Sequence, residues 1–211
     1  MCRFLLLKSK DVVEINVFLH KFAIMCYHSK CLDGDDQGDG WGFSYLDQNK
    51  RWQTYLSLEP VWEDVPKLKK KVLTTHLVAH ARSASFENQK GIIEYNQPFV
   101  FENFVFVFNG LLKGVRLPEI VPGRIGSQKI FNLFIKYIRS GATAQTALKE
   151  TVDLLKNHCT FVQALNIGIC DGQNLYYHNE YDPNTGEYYQ LQFYENEQLQ
   201  IICSEKLEGF G

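Results

Sequence analysis

From residue 41 onward the strand-like segments fall into two blocks separated by a pair of adjacent helix-like stretches, and that grouping limits what the chain can fold into. The first block comprises residues 41–46, 52–58, 72–81 and 99–112, rich in aromatic and β-branched side chains. The polar run 47–51 predicts a turn between the first two, and Glu102-Asn103 predicts a hairpin turn inside the last. The helix-like pair is 127–139, ended by Ser140-Gly141, and 143–158, with Thr143 as its N-cap. The second block comprises 161–170, 174–178, 188–194 and 199–203, separated by Gly, Asp or Asn turns. Such grouping gives no regular βαβ alternation. It favours an α+β sandwich of antiparallel sheets over a doubly wound sheet.

Ahead of these blocks, residues 2–7 read as a first strand. Apolar side chains at Val13, Val17, Phe18, Phe22 and Met25 predict an amphipathic helix over 11–29. The stretch 33–40, rich in Gly and Asp, predicts a loop. With 211 residues and 45% hydrophobic content, the chain can bury a layered core, and one domain over 1–211 is expected.

A formal net charge of -2 argues against a nucleic-acid partner. The one basic run, 67–71, is expected to be a solvated entry to a helix or strand. No apolar stretch approaches a membrane span of about 18 residues, and no secretory pattern opens the chain, so a cytoplasmic protein without a membrane partner is expected. Six cysteines at scattered spacings suit reduced thiols better than a disulfide framework. Cys26, His28 and Cys31, with His20 upstream, lack a second ligand pair to complete a zinc site. With no nucleotide-binding glycine motif either, neither metal nor cofactor is expected.

Cys2 carries the sharpest chemistry. Removal of Met1 would place a thiol and a free α-amine on one terminal residue, a nucleophile with its own base. The plainer reading is a small apolar side chain buried at the start of the first strand. His76 and His80 sit four apart in a strand-like segment and share a face, which suits packing or support better than catalysis.

Four short segments combine with this terminus: Met-Cys-Arg-Phe; Gly38-Asp-Gly-Trp-Gly42; Val78-Ala-His-Ala-Arg-Ser-Ala-Ser85 followed by Asn96-Gln-Pro-Phe99; and Phe106-Val-Phe-Asn-Gly-Leu-Leu112. In this order the chain resembles class II glutamine amidotransferase domains of the N-terminal-nucleophile hydrolases, and particularly the stand-alone branch beginning MCR. The likeness runs to Cys203-Ser-Glu-Lys-Leu207, similar to that branch's Ser-Glu-x-Leu segment. Such domains usually continue for another strand or two, so the stop at Gly211 is read as a short relative or a truncated chain.

The resemblance implies a four-layer αββα fold and hydrolysis of a side-chain amide through a thioester on Cys2. It implies that the Asn109 side chain and the Gly110 N–H form an oxyanion hole, although Asn-Gly alone is also the strongest signal for a type I′ turn. It implies that Arg82 holds a substrate α-carboxylate with help from Ser85, a task suited to a planar fork of donors. Residues 38–42 are expected to line the pocket, with Trp41 either walling the substrate or packing the core. One departure stands out: Gly126 and Gln128 occupy positions where the family usually has an aspartate that binds the α-ammonium of glutamine and a nearby glutamate. This shifts the expectation toward a small amide substrate whose α-nitrogen is blocked or uncharged. Two functional readings follow, an amide hydrolase and a catalytically silent relative that binds a ligand or partner in the same pocket. Ammonia released by the first would go to solvent or to a separate synthetase or acceptor subunit.

Overall fold

The computed structural model describes residues 1–29, 36–69 and 71–210. Cys31, residues 33–35 of the predicted loop, position 70 of the basic run and Gly211 lie outside them.

The chain opens with β1 (Arg3–Glu14), whose burial alternates between two neighbours. Leu5 and Leu7 pack with α1 (Ile15–His28), while Phe4 and Leu6 enter a second cluster with Val105, Val107 and Cys170. Successive side chains of a strand point to opposite faces, so β1 is covered on both sides and its two apolar sets serve two cores. β2 (Trp41–Leu46), β3 (Trp52–Ser57), the short α2 (Val61–Asp64) and β4 (Leu73–Ala81) follow. The hairpin β5 (Phe99–Phe101) and β6 (Phe104–Lys113) comes next, turning at Glu102 with φ 51°. The helices α3 (Gly126–Arg139) and α4 (Ala144–Asn157) are consecutive, and the Thr143 side chain accepts from the Thr146 N–H at 3.2 Å to cap the second. β7 (Phe161–Cys170), β8 (Leu175–His178), β9 (Gln192–Glu195) and β10 (Leu199–Cys203) complete the described elements.

The strands form two antiparallel sheets, ordered β3-β2-β4-β1-β10-β9 and β5-β6-β7-β8. Helix α1 covers the outer face of the six-stranded sheet, and α3 and α4 cover the outer face of the four-stranded one. The third cluster fills the space between the sheets. The result is the four-layer αββα sandwich.

Two boundaries differ from the sequence reading. Residues 11–14 belong to β1 rather than to the first helix, because Val13 and Glu14 pair with Thr74 and Leu73 beyond a register shift. The buried face of α1 is then Ile15, Phe18, Leu19, Phe22 and Cys26, and Val17 is 50% exposed. The segment 188–194 is a strand only from Gln192. Tyr188 and Tyr189 belong to a 3-10 segment, Pro183–Tyr189, which Asp182 starts by accepting from the Asn184 N–H at 2.9 Å.

Candidate active site

Cys2 immediately precedes β1 at the edge of the inter-sheet space. Continuing the strand's alternation, residue 2 shares the face of Phe4 and Leu6, which point toward the four-stranded sheet. The Sγ lies 3.5 Å from both the N–H and the carbonyl oxygen of Ser83, just past the end of β4. Burial pushes the thiol up from its ordinary value. The chain's terminal amine, the Ser83 N–H and the guanidinium groups of Arg82 and Arg3 pull it the other way.

Arg3 anchors this terminus. It is fully buried, ion-paired to Glu205, stacked 4.0 Å over the Tyr188 ring, and its Nη1 donates to the Cys2 carbonyl at 3.3 Å. The Ser29 hydroxyl donates to the same Glu205 carboxylate at 2.5 Å. Glu205→Ala strands a buried guanidinium, and breaking such a pair typically costs about 3 kcal/mol. A lower urea midpoint is expected, and reduced turnover with it, because the residue that carries the Cys2 carbonyl loses its tether. The Arg3 and Glu205 roles were not read from the sequence, although both residues sit inside motifs quoted above.

Asn109 and Gly110 lie within β6, paired with Asn166 and Leu165 of β7, and form no turn. The strand's parity places Asn109 on the face of Val105 and Val107, in the inter-sheet space that Cys2 borders. Asn109 is 1% exposed, and neither its Oδ1 nor its Nδ2 has a hydrogen-bond partner among the described residues. Gly110 has its N–H on the other edge. The Leu165 N–H donates to the Glu180 carbonyl, away from β6, so Gly110 and Leu165 form a non-hydrogen-bonded pair and the Gly110 N–H faces away from β7. β5 pairs only with residues 104–106, so no strand among the described residues takes that group. A Cβ at Gly110 would stand 2.2 Å from the Ala164 carbonyl oxygen, which explains the glycine by strand spacing rather than by the substrate's approach.

Two side chains hold this part of β6: Gln97, for which no role was expected, and His80, in the supporting role expected of it. Gln97 accepts from the Phe108 N–H at 2.7 Å and donates to the Phe108 carbonyl at 3.3 Å. His80, completely buried, meets that carbonyl through Nε2 at 3.2 Å, so Nε2 carries the proton. Burial, against a partial upward effect of the Phe108 bond, lowers His80 from 6.5 to about 3, and burial lowers His76 to about 4. Both folded values lie below the unfolded one, so the stability they confer is full above about pH 6.5 and is lost as pH falls toward those folded values. Urea midpoints are therefore expected to fall steadily from pH 6.5 to 4. His80→Gln, which keeps a donor but does not titrate, should flatten that slope; an unchanged slope would assign the loss to other groups.

Arg82 is 4% exposed. Its Nη2 donates to the Gln89 carbonyl at 2.8 Å, its guanidinium carbon lies 5.6 Å from the Tyr95 ring centre, and its Nη1 has no hydrogen-bond partner among the described residues. Cys2, Arg82, Ser85, Gly110 and Gly126 all line one cavity of about 610 Å³. Gly126 opens α3, and a Cβ built there meets nothing within 4 Å. Gln128 instead closes the preceding loop, accepting from the Arg124 N–H and donating to the Glu94 carbonyl at 3.0 Å.

Two expectations need correction. Trp41 is fully buried on the α1 side of its sheet, stacked on Phe43 and donating to Asp64 at 2.8 Å, so it packs the core and does not wall the cavity. Of the stretch 38–42, the described geometry makes residues 39 and 40 a brace rather than a lining. The Arg82 N–H donates to the Gly40 carbonyl, the Asp39 N–H to the Arg82 carbonyl, and the Ala84 N–H to the Asp39 carboxylate. Gly40 has φ 103° and a Cβ there would lie 2.4 Å from Asn96, so only glycine fits this brace.

Comparison with known proteins adds the family. The model for "Glutamine amidotransferases class-II" matches residues 1–192. No curated protein matches the chain. Among solved structures it is similar to the glutamine phosphoribosylpyrophosphate amidotransferase of B. subtilis, at 15% identity and TM-score 0.65 over 97% of this chain and 42% of that one. A glutamine aminotransferase class-II domain protein from Silicibacter pomeroyi is similar at 15% identity and TM-score 0.62, covering 98% and 90% of the two chains. A protein described as a predicted glutamine amidotransferase from Pseudomonas aeruginosa PA01 gives 12% identity and TM-score 0.57 over 100% and 92%. At these identities the structural likeness shows the fold, and the chain spans less than half of the B. subtilis enzyme.

Proposed function

The chain belongs to the class II glutamine amidotransferases, an enzyme family, and from that premise we propose that it hydrolyses a γ-glutamyl side-chain amide through a thioester on Cys2. With Met1 removed, the Cys2 amine takes the thiol proton and the sulfur attacks the amide carbon. The carbonyl oxygen becomes an oxyanion held by the Asn109 side-chain N–H and the Gly110 N–H. The intermediate collapses, the carbon–nitrogen bond breaks, and the amine returns its proton to the leaving nitrogen. Water, deprotonated by the same amine, then attacks the thioester and releases the carboxylate and the thiol. Arg82 receives the substrate's α-carboxylate, with Ser85 beside it. Ammonia or amine leaves to solvent or to a separate synthetase or acceptor subunit.

The observation that supports this reading is an asparagine whose polar atoms are buried and without a partner among the described residues, on the β6 face toward the inter-sheet space that Cys2 borders, followed by a glycine whose N–H faces away from β7. A buried polar group without a partner costs roughly 1–3 kcal/mol, and a donor held in that state can bond to an oxyanion without first breaking another hydrogen bond. The test is ammonia release from glutamine and from a panel of blocked γ-glutamyl amides, with the intact mass of the same preparation. Release by chains lacking Met1 supports the hydrolase; no release across the panel by such chains supports the silent binder.

A further inference from the structure

We propose that the substrate carries an apolar acyl group on its α-nitrogen, an N-acylglutamine or N-acyl γ-glutamyl amide, seated in the apolar arm of the cavity. The proposal deepens the hydrolase reading and rests on it. Charge is the first argument. Arg82, Arg124 and Lys129 line the cavity, and its one acidic residue among the described ones, Glu119, is ion-paired to Lys136. Asp39, nearby, is held by the Ala84 N–H and by Lys90. Among the described residues a free ammonium would thus meet cations and no unpaired carboxylate, whereas acylation makes that nitrogen neutral. An apolar leaving amine would not remove this conflict, which assigns the extension to the α-nitrogen.

Shape and polarity supply the second argument. Beyond Arg82 and Gly110 the cavity is lined by Leu112, Leu117, Val121, Ile125, Ile130 and Leu155. Its volume of about 610 Å³ falls among sites for drug-sized ligands, and a free amino acid would leave much of it empty. Gly126 removes a side chain where the cavity passes the start of α3, and nothing else fills that space. Cavity-lining Phe86, Val115 and Ile120 are 65%, 40% and 98% exposed. Apolar side chains gathered in the open around a cavity mark a surface that a ligand covers.

The experiment measures kcat/KM of the Met1-free protein on glutamine and on its N-acetyl, N-butanoyl, N-hexanoyl and N-octanoyl derivatives, beside a series of γ-glutamyl N-alkylamides. In parallel, calorimetry measures binding of the matching N-acylglutamates to Cys2→Ala. The acyl series is expected to climb about four-fold per methylene until the arm is filled. Gly126→Asp, which returns a carboxylate to the cavity, is expected to move the preference at least ten-fold toward free glutamine. A flat acyl series, a series that climbs only on the amide side, or best turnover of free glutamine overturns the proposal. Cleavage without acyl-length dependence removes the acyl arm and leaves the hydrolase. Binding to Cys2→Ala that tightens with acyl length, without cleavage by the parent protein, keeps the arm and removes the hydrolase.

Discussion

Cys2→Ala lowers turnover of the best γ-glutamyl amide by about 10⁴-fold or more, while the protein's melting temperature stays near that of the parent. Removing the attacking group of a covalent mechanism leaves only binding and charge stabilisation, so losses of this size are the rule. The fold should hardly register the change. Cys2 precedes β1, and among the described residues the hydrogen bonds of its Sγ are the two 3.5 Å contacts with Ser83. Activity that persists in Cys2→Ala would exclude the thioester outright. An electrophilic glutamine analogue should add its mass to the parent protein and fail to add it to the variant.

Asn109→Ala is expected to lower kcat by about 10²- to 10³-fold with little change in KM, the signature of a donor used only when negative charge develops. Stability separates this from a structural role. A structural asparagine would take a hydrogen-bonded network with it. Neither polar atom of Asn109 is bonded among the described residues, so its removal deletes two buried groups without partners there. The urea midpoint should hold or rise, by up to about 1 kcal/mol in stability. A fall of several kcal/mol together with the loss of turnover would show that the side chain holds the sheets rather than the oxyanion.

Where local pattern and tertiary pairing agreed, the sequence was a reliable guide. The runs at 41–46, 161–170 and 199–203 are strands with those limits, because a buried antiparallel strand needs only alternation and flanking turns to declare itself. Residues 11–14 misled, since Val12-Val13 suits a period of 2 as well as 3.6, and pairing with Leu73 and Thr74 decided the matter. Tyr188 and Tyr189 look like strand residues, yet Asp182-Pro183 winds them into a tight turn.

The site shows the same division. Cys2, Arg82, Ser85 and Gly110, drawn from three separate motifs, line one cavity. What pattern could not supply was which face of a strand or which side of a sheet each residue serves. Trp41 and Gly42 adjoin the brace, but Trp41 turns to α1. His80 from β4 and Gln97 from the loop before β5 converge on the Phe108 carbonyl, and such convergence leaves no spacing in the chain.

That Gln97 clamp has a consequence for the molecule's company. Its amide imitates a neighbouring strand for a single residue, and among the described residues no strand pairs with that edge of β6 beyond Phe108. An unpaired strand edge is a template for an extended chain. A segment that paired there would cover the Gly110 N–H, the group on which the proposed oxyanion hole relies.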